Sequence, residues 1–115
     1  MSEYRLVRLG RQLQEEIAAM IASGKIKDYR VDSFLSVTRV DVARDLSYAD
    51  VYVSNFESDE KLEKSVAGLS SAAGFIQSIL GSKLHIRQTP KLRFHPDTSV
   101  KDGFELVKRI EEINQ

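Results

Sequence analysis

Between Lys64 and Pro96 the chain carries Lys64, Lys83, Arg87, Lys91 and Arg93 and not one aspartate or glutamate. Cations without local counter-charges suit the neutralisation of phosphates, with release of the counterions that the phosphates had held. The same window contains SSAAGFIQSILGSK, residues 70–83, in which Gly74 interrupts a run of good helical spacing. Glycine in a helix interior costs about 1 kcal/mol relative to alanine, mostly in backbone entropy, so the position needs a reason. A break there would create a second helix N-terminus, whose unpaired N–H groups and positive dipole end attract phosphate. Lys83, Arg87, Lys91 and Arg93 would then meet the neighbouring backbone charges. A helix that tolerates one glycine for close packing, beside a solvated basic face, fits the same residues, and the pattern alone leaves both readings open.

Other chemistries find less support. His85 and His95 are the only histidines and have no carboxylate cluster at ligand spacing, so no metal site is expected. The adjacent carboxylates Glu15–Glu16, Asp59–Glu60 and Glu111–Glu112 lie in helical stretches where neighbours point apart, which makes them solvated faces and not an acid and base pair. Neither a phosphate-binding glycine loop nor a nucleophile elbow is present, and no enzymatic activity and no cofactor are expected. Tyr48 and Tyr52 share a strand face with Asp50 and are candidates for stacking on bases, although ordinary strand filling explains them better.

With 115 residues the chain fits one domain, expected to span residues 1–115. No apolar run approaches the length of a membrane span, no leader pattern opens the chain, and cysteine is absent, so a soluble protein of a reducing, bacterial-type cytoplasm is expected. Net charge is zero but unevenly spread. Residues 1–40 carry seven Lys/Arg against five Asp/Glu, residues 41–63 two against seven, and residues 97–115 three against five. The cationic segment is therefore 64–96, at +5.

The elements that must position these residues follow from periodicity. Leu6, Leu9, Leu13, Ile17, Met20 and Ile21 predict a first amphipathic helix that stops near Ser23 and Gly24. From Phe34 to Val42 alternation shifts phase, which predicts a bulge near Thr38 and Arg39, and Ala49, Val51 and Val53 predict a partner strand in a hairpin. Ser58, Asp59 and Glu60 suit the start of a long helical stretch that runs through Gly74. Leu92 and Phe94 predict a third strand, parallel to the second, and Ser99 with Asp102 a capped final helix. The order gives an α+β fold with a mixed three-stranded sheet.

Several stretches together resemble the ribosome-binding factor A family. They are QLQEEIAAMI (12–21), IKDYR (26–30), VTRVDVARDLSYADVYVS (37–54) and AAGFIQSILGSKLHIRQTPKLRFHPDTS (72–99), and their joint order makes the match specific. The resemblance implies a type II KH-like domain in which the usual Gly-x-x-Gly loop is replaced by an Ala-x-Gly kink, here Ala72, Ala73 and Gly74, with Gly74 letting the backbone bend. It also implies a non-catalytic factor that binds 16S rRNA in free 30S ribosomal subunits, assists late maturation and 16S rRNA processing, and is associated with growth in the cold. A ribosome-assembly GTPase would assist release, and the factor itself is expected to be a monomer with no membrane partner. The chain ends soon after its last expected helix, without the basic tail of longer relatives, so RNA contacts are expected from the folded part. The residues expected to meet RNA are Arg5, Arg8, Arg11, Lys83, Arg87, Lys91 and Arg93, together with the kink. A generic KH-type module for single-stranded RNA, and a small α+β metabolic protein using Arg44 and Asp45, stand as alternatives.

Overall fold

The computed structural model describes residues 2–99. Helix α1 (Glu3–Ala22) begins where the Ser2 side chain accepts a hydrogen bond from the Arg5 N–H, and it buries Leu9, Gly10, Leu13, Ile17, Met20 and Ile21 along one stripe. It ends at Ser23, and Gly24 follows at a φ of 71°, the left-handed conformation that glycine adopts without steric cost.

Strands β1 (Ser36–Val42) and β2 (Tyr48–Ser54) pair antiparallel. The expected bulge is present: Val37 faces Val53 and Arg39 faces Tyr52, so Thr38 is the extra residue and the side-chain phase reverses across it. Arg44 pairs with Glu3 at 3.1 Å, and the Asp45 carboxylate accepts from the Ser47 N–H and hydroxyl at 3.0 and 2.7 Å. Those contacts give both residues of the metabolic alternative a place in the turn and its link to α1.

Helices α2 (Asp59–Ser71) and α3 (Ala73–Leu84) then carry the chain to β3 (Lys91–Pro96), which lies parallel to β2 and completes a mixed sheet of order β1-β2-β3. The three helices cover one face of the sheet. Val37, Ala49, Val51, Val53, Leu92 and Phe94 point into that interface and form one core with Leu13, Ile17, Leu62, Leu69, Ile76 and Leu80. Truncating a fully buried residue such as Leu13 would cost about 2–5 kcal/mol. The approach of α1 to the sheet depends on Gly10, where a Cβ would stand 2.8 Å from the Val40 carbonyl oxygen. The expected final helix lies outside the described residues.

Candidate nucleic-acid interface

The α2–α3 joint is a single residue. Ser58 caps α2, accepting from the Lys61 N–H at 3.2 Å, and the helix runs until Ala72, at φ −91° and ψ 2°. The Ala72 N–H is shared between the Gly68 and Leu69 carbonyls, both at 3.1 Å, a tightening of the last turn that ends the α2 ladder. α3 restarts at once, with the Ile76 N–H donating to the Ala72 carbonyl at 3.0 Å, and no side chain caps its N-terminus. Leu62, Leu69, Ile76 and Leu80 stay buried across the break, which is why the sequence shows uninterrupted spacing.

The position of the break corrects the expectation for Gly74. That residue lies in the first turn of α3, exposed and outside the left-handed region, and a Cβ added to it would meet nothing within 4 Å. The bend therefore sits at Ala72, in a conformation open to any L-residue, and needs neither the freedom nor the small size of glycine. What Gly74 does contribute is a stretch of backbone with no side chain over it.

The connection from α1 to β1 folds back against this joint. A depression of about 270 Å³ is lined by Lys25, Lys27, Asp28, Ser71, Ala72 and Phe75, the last half exposed. A second one, of about 180 Å³, shares Lys25 and runs between α1 and α3, reaching Glu16, Ser23, Ile79 and Lys83. The connection is fastened by Arg30. Its guanidinium donates to both Asp28 oxygens at 3.0 and 2.7 Å and to the Ser71 hydroxyl at 3.1 Å, and its backbone N–H donates to Asp28 at 2.9 Å. Hydrogen bonds from the Arg30 side chain, then from its backbone, hold the Asp28 carboxyl down at about 2. Gly68 makes room for this strap, since a Cβ there would meet Val31 at 2.8 Å and Asp28 at 3.1 Å.

The cations expected to act together are divided by the fold. Lys83 borders the α1–α3 depression with its ammonium 2.9 Å from the Glu16 carboxylate. Arg5, Arg8 and Arg11 are exposed along α1, and Arg87 is exposed in the connection before β3. Lys91 and Arg93 alternate with buried Leu92, so they belong to the open face of the sheet, the side away from the helices. Arg93 is engaged there: it donates to Asp50 at 2.9 and 3.1 Å and lies 3.7 Å over the Tyr48 ring. His95 also reaches Asp50 at 2.7 Å and stacks on Tyr52, whose ring Arg39 overlies at 4.2 Å. The Arg93 contact, more than that of His95, keeps the Asp50 carboxyl below its ordinary range. The cations that do stand at the joint, Lys25 and Lys27, were absent from the sequence-based set. Their only sequence signal is two lysines placed directly after the helix stop at Gly24.

Residues 5–110 match the family model for ribosome-binding factor A. The chain belongs to the ribosome-binding factor A family. The Treponema denticola member is 53% identical over 113 residues, covering 98% of this chain and 86% of the relative. That of Treponema pallidum is 49% identical over 112 residues, covering 97% and 89%. Among solved structures, the solution structure of the Thermotoga maritima ribosome-binding factor A superposes with a TM-score of 0.71 at 30% identity, over 86% of this chain and 92% of that one. A homology model of the Thermus thermophilus ribosome-binding factor A, fitted into a cryo-electron microscopy map of its 30S complex, gives 0.65 at 29% identity, over 81% and 96%. The KH-like α+β architecture of ribosome-binding factor A is thus the architecture of this chain. Among the described residues no helix is long and apolar enough to cross a membrane.

Proposed function

We propose that this chain is a non-catalytic assembly factor of the small ribosomal subunit, which binds 16S rRNA in free 30S subunits and assists late maturation and processing of that RNA. The observation that carries the reading is the Thermus thermophilus relative, similar over 81% of this chain, whose homology model was fitted into a map of a 30S complex. The local chemistry supports it. At the α2–α3 joint, Gly74 leaves one stretch of backbone bare, and Lys25 and Lys27 line the depression beside Ala72 and Phe75, so that an RNA backbone reaching the joint would bring its phosphates to ammonium groups. Lys83 extends this cationic border along α3, and Arg5, Arg8 and Arg11 offer further contacts from α1. Arg87, exposed in the connection before β3, and Lys91, on the open face of the sheet, serve as peripheral contacts.

The factor acts as a cytoplasmic monomer, and an assembly GTPase assists its release. Co-sedimentation tests the reading: the protein should pellet with free 30S subunits and not with assembled 70S ribosomes. Equal recovery with both, or with neither, would contradict an assembly role.

A further inference from the structure

We infer that the depression beside the α2–α3 joint holds one unpaired nucleotide, its base stacked on the Phe75 ring and its phosphate met by Lys25 and Lys27. The site rests on the RNA-binding role proposed above and adds the form of RNA taken there, a single strand.

Phe75 directly follows Gly74 in the first turn of α3 and stands 50% exposed, although an aromatic ring is among the side chains that gain most from burial. Core packing does not account for it. Ala72, Ala73, Ile76 and Ile79, its neighbours along the same stretch, lie in the core or pack against it, and Phe75 does neither. The ring lines instead the depression of about 270 Å³, together with Lys25, Lys27, Asp28, Ser71 and Ala72.

Charge singles out the same place. Lys61, Lys64 and Lys83 are paired with carboxylates at 2.6, 3.6 and 2.9 Å, whereas Lys25 and Lys27 are exposed and have no ion-pair partner among the described residues. The Asp28 carboxylate at the wall is held through both oxygens by the Arg30 guanidinium, so the depression presents two uncompensated positive charges. Tyr29 also lines a cavity, but the cations there, Arg30, Lys61 and Lys64, are each engaged by a carboxylate. A ring face beside two unpaired ammonium groups matches the two parts of a nucleotide, since a base stacks on the one and a phosphate meets the others. A duplex would satisfy the lysines and leave the ring unused, because its bases are stacked on one another. The Ser71 hydroxyl accepts from Arg30 at 3.1 Å and keeps its own proton for the edge of a base.

Binding is read with an oligoadenylate of about ten nucleotides and with a strand of the same length built from abasic sugar-phosphate units. The native protein should bind the base-bearing strand about five- to tenfold more tightly than the abasic one. Phe75→Ser, with circular dichroism confirming its fold, should abolish that difference, and Phe75→Tyr should keep it. Lys25→Gln/Lys27→Gln should weaken both strands alike. Equal native affinity for the two strands, or a Phe75→Ser variant that still prefers the base-bearing one, would overturn the inference. So would binding of oligoglutamate that is lost in Phe75→Ser, which would assign the depression to an acidic protein segment. A native protein with the ring-dependent preference but no affinity for free 30S subunits would contradict the assembly role and leave the nucleotide site standing. Native 30S binding together with equal affinity for the two strands would do the reverse.

Discussion

The Lys83 ammonium stands 2.9 Å from the Glu16 carboxylate, so a side chain assigned to RNA on sequence grounds also ties α3 to α1. Lys83 is the more exposed partner, with side-chain accessibilities of 60% and 24%. Exposed pairs of this kind contribute about 0–1 kcal/mol, which leaves the ammonium available to a phosphate. Glu16→Gln should therefore change stability by no more than about 1 kcal/mol in urea denaturation. The same variant should tighten RNA binding about two- to fivefold at low salt, because it removes a competing negative charge.

Two glycines should respond in opposite directions to the same change. Gly10→Ala places a methyl group 2.8 Å from the Val40 carbonyl oxygen, a backbone atom that cannot move without the strand, and should cost about 1–3 kcal/mol. Gly74→Ala meets nothing within 4 Å and sits in a helix, so it should be neutral or stabilise by up to about 1 kcal/mol. If Gly74 serves close approach of RNA, the alanine variant will gain melting temperature and lose RNA affinity. Unchanged affinity would leave the bare backbone without a role.

Arg93 should prove structural. Its two hydrogen bonds to Asp50 and its place over Tyr48 occupy the guanidinium on a face that the helices do not share. Arg93→Ala should lower stability by about 1 kcal/mol, the partly exposed setting limiting the effect. Its 30S affinity should stay within about twofold. A large loss of binding with unchanged stability would return Arg93 to the interface.

The Asp28–Arg30 strap gives a pH signature. The folded-state carboxyl is held near 2, below its ordinary value of 3.8, so the pair's stabilisation is present in full above that ordinary value and fades as pH falls toward 2. Arg30→Gln should lower the urea midpoint by a constant amount from pH 7 to about 5, and the gap to the native protein should close between about pH 4 and 2. A gap independent of pH over that range would mean that the carboxylate contact does not contribute.

What the sequence disclosed, and what it withheld, follows the range of the interactions. The α1 stop at Gly24, the Thr38 bulge, the hairpin and the parallel β3 all leave a local trace, because period and turn chemistry are properties of neighbouring residues. The break between α2 and α3 left only Gly74 as a marker. The actual bend, one alanine pair earlier, is made by ordinary dihedrals and has no residue-type signature. The site was less legible than the fold. Lys25 and Lys27 reach the joint only because the connection after α1 is strapped over Gly68 by Arg30, and Arg93 is withdrawn by Asp50 from the neighbouring strand. Both facts depend on pairings across long stretches of chain, which composition and spacing do not carry. The charge count over residues 64–96 was correct, but it grouped side chains that the sheet sends to opposite faces.

The most direct test of the RNA-binding joint is a titration of free 30S subunits with the native protein and with Lys25→Glu/Lys27→Glu over a range of salt concentrations. The double variant, with circular dichroism confirming its fold, should bind at least about tenfold more weakly at low salt and show a salt slope shallower by about one to two. A folded double variant with native affinity and native salt dependence would contradict the assignment of the α2–α3 joint as the RNA contact.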